Sequence, residues 1–315
     1  MKKRSFVMSV ILVLSSLFLF TIAFAQETYR TRISAGYLYF DDELDYELND
    51  YGISASVFFS PVDPKDHLRA EASFLERIGG VSVFGSLSDF ETGNGYEGDG
   101  FFYGVSTTLM KPKLPFMLAA KYAKQEDEYD KPIDSERSID YLGLSMGYFV
   151  SDTLLLDVSF TRSKEDREMK IVLIDNYSFV LNSTIEYDAY GISAKYVNEK
   201  SGHGGFNIEG GVKIIEKEKG VSIDNYDYRY RYDDGTNLIF GAHGDYYFNQ
   251  DISIGGTAQI NTGDNKDDEG AILGANAMYF ITPRISMGCS YTKFFADNDE
   301  GKDEDVIKAM ASIRF

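Results

Sequence analysis

The stretch "DVIKAMASIRF", residues 305–315, closes the chain. In an extended backbone Ile307, Ala309, Ala311, Ile313 and Phe315 fall on one side, and Lys308, Met310, Ser312 and Arg314 on the other. This is a strand with one apolar and one mostly polar face. Chain ends usually fray, so an end patterned this way is expected to be tied into a sheet.

The same period-two alternation recurs throughout. "ISASVFF" sets Ile53, Ala55, Val57 and Phe59 against Ser54, Ser56 and Phe58, and "DISIGGTAQI" opposes Ile252, Ile254, Ala258 and Ile260 to Ser253, Thr257 and Gln259. "LRAEASF" likewise puts Leu68, Ala70, Ala72 and Phe74 opposite Arg69, Glu71 and Ser73. The pattern predicts about fourteen strands (12–16), near 29–40, 51–60, 68–87, 99–110, 115–125, 138–150, 153–164, 185–197, 205–217, 236–248, 251–262, 269–281, 284–296 and 304–315. Their connections alternate. Six are short and carry turn formers, such as "PVDPKDH", "KPKLP" and "TPR"; seven are longer and acidic, such as "DDELDYELND" and "DNDEGKDE".

Composition agrees with an all-β chain. Aromatic residues make up 15%, tryptophan is absent, glycines number 29 and prolines six. Lys2, Lys3 and Arg4 precede an apolar run that ends in Ala23-Phe24-Ala25, the layout of a secretory signal with cleavage after Ala25. Residues 1–25 are therefore expected to be a signal peptide and 26–315 a single domain. Loss of the three basic residues takes the net charge from −19 to −22, which argues against a nucleic-acid partner. The single cysteine, Cys289, excludes an intrachain disulfide.

An even number of strands with alternately short and long connections fits a closed antiparallel transmembrane barrel. Closure is required because no strand edge can stay unpaired in lipid. The combination of signal peptide, alternating strands and terminal "ASIRF" resembles bacterial outer-membrane porins. The resemblance implies a Gram-negative outer membrane, periplasmic termini and contact with lipid and lipopolysaccharide. It also implies that Ile307, Ala309, Ala311, Ile313 and Phe315 are read by the barrel-assembly machinery. Fourteen-stranded fatty-acid channels are similar in strand count, but their N-terminal hatch has no counterpart here.

With the apolar face toward lipid, the lumen is predicted to be lined by Arg32, Arg69, Glu71, Lys121, Asp157, Lys195, Glu209, Lys213, His243, Asp245, Lys308 and Arg314. Lumen charges of this kind tune selectivity. The expected function is passive diffusion of small hydrophilic solutes or ions through a water-filled channel, with a weak cation preference from the acidic loops. A structural, adhesion or ligand-binding barrel with a blocked lumen is the alternative. An outer-membrane enzyme is less expected: of three histidines, His67 and His203 lie in predicted periplasmic turns, and only His243, near Asp245, is on a strand. "DNDEGKDED" and "DNKDDEG" lack the glycine spacing of a twelve-residue calcium loop, so no metal or cofactor site is expected. The segment 216–235, with Arg229 and Arg231 among tyrosines, reads as an external extension of the wall, with an inward constriction as the alternative. The barrel size is compatible with a monomer.

Overall fold

A computed structural model describes residues 28–42, 46–65, 67–91, 97–129, 135–172, 178–199, 204–223, 228–263, 269–296 and 303–315. The signal-peptide expectation, with Ala23 and Ala25, lies outside them, as does His203. Fourteen antiparallel strands follow one another: β1 (Tyr29–Asp42), β2 (Glu47–Val62), β3 (Gly80–Glu91), β4 (Glu97–Met110), β5 (Phe116–Tyr129), β6 (Ser135–Phe149), β7 (Leu154–Val172), β8 (Ser178–Glu199), β9 (Gly205–Ile223), β10 (Tyr228–Tyr247), β11 (Ile252–Gly263), β12 (Gly270–Thr282), β13 (Ile285–Ala296) and β14 (Glu304–Arg314). Each pairs with its sequence neighbours, and β1 pairs with β14, so the sheet is a closed barrel.

The terminal strand does what its alternation implies. Ile33, Ala35 and Tyr37 of β1 face Ile313, Ala311 and Ala309 of β14, while Arg32, Ser34 and Leu38 face Arg314, Ser312 and Lys308. Ser34 Oγ and Ser312 Oγ lie 2.7 Å apart on the polar side. The last residue is held as well: the Phe315 carbonyl accepts the Arg30 and Thr31 amides at 2.6 and 3.0 Å, and its own amide donates to the Thr31 carbonyl at 2.8 Å.

The barrel inverts the usual protein interior. Large apolar residues from most strands stand exposed on the outer face, Val57, Val83, Leu144, Ile192 and Leu273 among them, while Ser56, Asn207, Ser253, Ser286 and Ser312 are buried. So large an apolar exterior has lipid as its solvent. Tyr37, Phe59, Phe101, Tyr103, Tyr122, Tyr148, Tyr196, Phe248, Tyr279 and Tyr291 are also exposed. Phe59, Tyr148, Tyr196, Phe248 and Tyr279 lie at the strand ends nearest the termini, as an interfacial aromatic girdle does, while Tyr37, Phe101, Tyr103, Tyr122 and Tyr291 lie nearer the middle of their strands. Cys289 is exposed too, on the outer face with Ala277 and Ala309 as cross-strand partners.

Two sequence expectations change. Much of the sequence that reads as long acidic loops continues as strand: β7 to β10 run 19, 22, 19 and 20 residues. At the end away from the termini the connections are only four to seven residues long. Within 216–235, the described residues 216–223 and 228–235 belong to this extension. Their backbone pairs as β9 with β10, Tyr228 opposite Ile223 and Arg231 opposite Gly220.

The second change concerns 68–87. The strand begins only at Gly80. Before it, "LRAEASF" forms a turn and a short helix, α1 (Ala72–Leu75). The β2–β3 connection is therefore not a short turn. It takes 63–79, and it folds into the barrel.

Candidate functional site

The β2–β3 segment touches walls on opposite sides of the barrel. Leu68 and Phe74 form a cluster with Phe149, Leu155, Val197 and Tyr247 from β6, β7, β8 and β10. Ala72 and Ile78 join Tyr29, Phe58 and Val62 of β1 and β2. Only a segment inside the barrel can meet all of these walls at once. Every contact residue sits at the end of its strand nearest the termini, so the segment crosses the lumen at that end. These two clusters hold most of the buried apolar side chains among the described residues. Their burial favours the seated position by about 25 cal/mol per Å² removed from water.

Polar contacts orient the segment. Glu71, buried at the start of α1, accepts Lys195 Nζ at 2.8 Å and Asn207 Nδ2 at 2.7 Å. Asn207 also donates to Asp245 Oδ2 at 2.9 Å, and Asp245 Oδ1 accepts Asn276 Nδ2 at 2.7 Å. A network thus runs from the segment across β8, β9, β10 and β12. Lys195 also lies over the Phe74 ring, 4.9 Å from its centroid. At the segment's entry His67 Nδ1 is 2.8 Å from Glu199 Oε1. Gln250 Nε2 donates to the Lys65 carbonyl at 2.9 Å. At its exit Arg77 has φ 52°, a left-handed conformation that turns the chain toward β3. The Arg77 guanidinium sits over Phe149 and donates to the Ser151 carbonyl at 3.1 Å. The position is strained for a residue with a side chain, and these contacts hold it. Burial raises the Glu76 carboxyl above its ordinary value, against the Asp63 amide that it accepts at 2.9 Å.

The residues predicted to line the lumen share the inward face, from two sources. Arg32, Lys121, Asp157, Lys195, Glu209, Lys213, His243, Asp245, Lys308 and Arg314 come from the wall. They lie in cross-strand register with other inward residues, as Lys195–Glu209–His243 and Arg32–Arg314 do. Arg69 and Glu71 instead come from the inward segment: Arg69 pairs with Asp251 and Glu71 with Lys195. Reading them as wall residues is corrected here. Beyond the seal, Glu209, Lys213, His243, Thr257 and Gln259 line a cavity of about 320 Å³ on one wall. Farther from the termini, Phe84 and Phe102 pack inward with Lys121 over both rings. Arg137 bridges Glu165 at 2.8 Å and Asp127 at 3.6 Å. Sequence reasoning missed this second group, because Phe84 and Phe102 sit on the face where small polar residues dominate.

Thr257 Oγ1, His243 and Asp245 form a hydroxyl–imidazole–carboxylate chain, at 2.9 and 3.1 Å. The connectivity is that of nucleophile, base and orienting acid. Nucleophilic catalysis also needs donors aimed at a developing oxyanion, and the backbone around Thr257 is engaged in the ladders to β10 and β12. The register alone accounts for the chain, since Thr257 and His243 are cross-strand partners. No group of three or more metal-ligating side chains occurs among the described residues.

Among solved structures the outer membrane protein Omp33 of Acinetobacter baumannii is similar: 19% identity, TM-score 0.50, covering 92% of this chain and 99% of that one. So is the translocator domain of the autotransporter NalP of Neisseria meningitidis, at 10% identity and TM-score 0.51, covering 99% and 98%. The toluene transporter TbuX of Ralstonia pickettii matches at 8% identity and TM-score 0.53, covering 91% and 90%. Likeness at such identities speaks to the barrel fold alone. No curated protein sequence matches the chain significantly. One sequence family, described as "Putative general bacterial porin", matches residues 1–315. With a whole-length match and a closed fourteen-strand barrel, the chain belongs to this family of outer-membrane porins.

Proposed function

We propose that the chain is an outer-membrane channel for small hydrophilic solutes or ions, with both termini in the periplasm and passage governed by the β2–β3 segment. The observation that carries this reading is the nature of the obstruction. It is one contiguous segment, held by side-chain contacts, inside a wall whose inward face is mostly polar. Eight-stranded barrels are filled by wall side chains, and 16–18 strands leave an aqueous channel. A fourteen-strand barrel closed by a removable piece opens when that piece moves. The acidic rim supports a weak cation preference at the mouth.

Planar-bilayer recording of the refolded barrel tests the reading. Steps between a closed level and an ohmic open level are expected, with a reversal potential of cation-selective sign in a salt gradient. A folded, heat-modifiable barrel that never conducts would sink the proposal and favour a ligand-binding or adhesion barrel with a permanently blocked lumen. The N-terminal segment is proposed to direct export, and cleavage after Ala25 would leave Gln26 as the first residue of the purified protein.

The terminal strand supports a second expectation. Deleting Phe315 removes its three backbone hydrogen bonds to β1, and with them the aromatic end that the assembly machinery would read. The yield of folded barrel in the outer membrane should fall severalfold, while barrels that do form keep wild-type conductance. Equal yields would show that Phe315 has no part in assembly.

A further inference from the structure

Three arginines meet where the inward segment touches the β1–β14 seam. Arg32 and Arg314 are cross-strand partners on the inward face. Arg69 reaches them from the segment, and its carbonyl accepts Arg314 Nη1 at 3.0 Å. Arg314 is only 4% exposed. Its guanidinium lies between the rings of Tyr29 and Phe280, 4.8 and 4.7 Å from their centroids. Both other arginines lie within electrostatic reach of it.

The cluster carries more positive charge than its surroundings neutralise. Asp251 pairs with Arg69. Of the segment's own carboxylates, Glu71 is paired with Lys195, while Glu76 and Asp63 accept backbone amides, from Asp63 and Lys65, and keep their charge. Asp251 and Glu76 together set two negative charges against three guanidinium groups. Arg32 has no side-chain partner among the described residues. Among the described residues the buried Nε–H groups of Arg32, Arg69 and Arg314 have no hydrogen-bond acceptor, and the buried Oδ1 of Asp251 beside Arg69 has no hydrogen-bond donor. Buried like charges repel, and buried donors without acceptors are costly. Planar guanidinium forks match the oxygens of a tetrahedral oxyanion.

We infer that Arg32, Arg69 and Arg314 form a binding site for a small inorganic oxyanion, of the size and charge of phosphate, drawn from solution. The anion satisfies the three Nε–H groups and cancels their repulsion. Because Arg69 belongs to the inward segment and the other two to the strands that close the barrel, the bound anion ties segment to seam. The site is on the lumen side, so a phosphate on a lipid headgroup in the surrounding bilayer does not reach it.

The test uses the full mature barrel, refolded in detergent without phospholipid. The midpoint of heat-induced unfolding and the calorimetric binding isotherm are measured with inorganic phosphate, and with chloride at equal ionic strength. Phosphate is expected to raise the midpoint above that in chloride. Arg32→Gln, at a side chain with no partner to lose, should weaken phosphate binding by about tenfold. Arg32→Lys should recover only part of the loss, since it restores the charge without the fork. Equal midpoints in the two salts would overturn the proposal, and so would an undiminished phosphate effect in Arg32→Gln. A midpoint that responds only to added anionic lipid would overturn it too. The readout is binding, so it is independent of whether the barrel conducts.

Discussion

Replacing Ser60–Ile78 with Asn-Gly should turn an intermittently conducting barrel into one that stays open. The Phe59 amide donates to the Gly79 carbonyl at 2.9 Å, so these residues already face each other across the two strands. Asn-Gly is the favoured two-residue connection at such a site. The deletion removes Leu68, Glu71, Ala72, Phe74 and Ile78, and with them both apolar clusters at the sealed end. The wall keeps the rest of its β2–β3 ladder. Single-channel recordings should show long-lived ohmic steps with few closures, and liposomes carrying the variant should swell faster in small sugars. Unchanged closure in a correctly folded deletion variant would place the barrier elsewhere in the lumen.

Lys195→Met should open the wild-type-length barrel by a different route. Glu71 would stay buried while losing the ammonium that now sits 2.8 Å from its carboxylate. Removing one partner of a buried pair costs about 3–5 kcal/mol. The Lys195 side chain is 25% exposed to lumen water, so the lower part of that range applies. About 3 kcal/mol shifts the seated-to-unseated ratio by roughly a hundredfold. The open probability in bilayer recordings should rise accordingly. Glu71→Gln in the same chain should restore most of the closure, because an amide buried beside Asn207 and Tyr247 carries no charge to desolvate. If the double variant is as open as Lys195→Met alone, loss of lysine packing over Phe74, and not the stranded charge, is the cause.

The barrel and its closure were legible because lipid imposes a strict rule. Within the apolar band every second residue must be greasy, and Ile307 to Ile313 obey it without exception. Strand ends were not legible, for the same reason reversed. Above the band both faces of β7 are wet, so "TRSKEDREMK", residues 161–170, has no period to read, yet it pairs residue by residue with β8. The inward segment was misread because its alternation has another origin. Leu68 and Phe74 turn to one wall, Ala72 and Ile78 to another, and Arg69 and Glu71 to polar partners between them. A confined segment with mixed neighbours imitates a strand. The Gly79-Gly80 pair, inside the expected strand 68–87, was the available signal, since paired glycines inside a presumed wall argue for a break in the ladder. The inward placement of Arg69 and Glu71 followed from that pattern, but their role in sealing did not.

The unequal strand lengths give the mouth a direction. With barrel strands tilted about 40°, the 22 residues of β8 reach about 55 Å along the axis, and the 11 residues of β14 about 28 Å. The rim is thus a scoop, high along β7 to β10 and low along β11 to β14 and β1. A solute drifting across the cell surface meets the outer face of an upright sheet on one bearing and an unobstructed lip on the opposite one. On the proposed channel function and orientation, capture of a solute becomes a one-sided event.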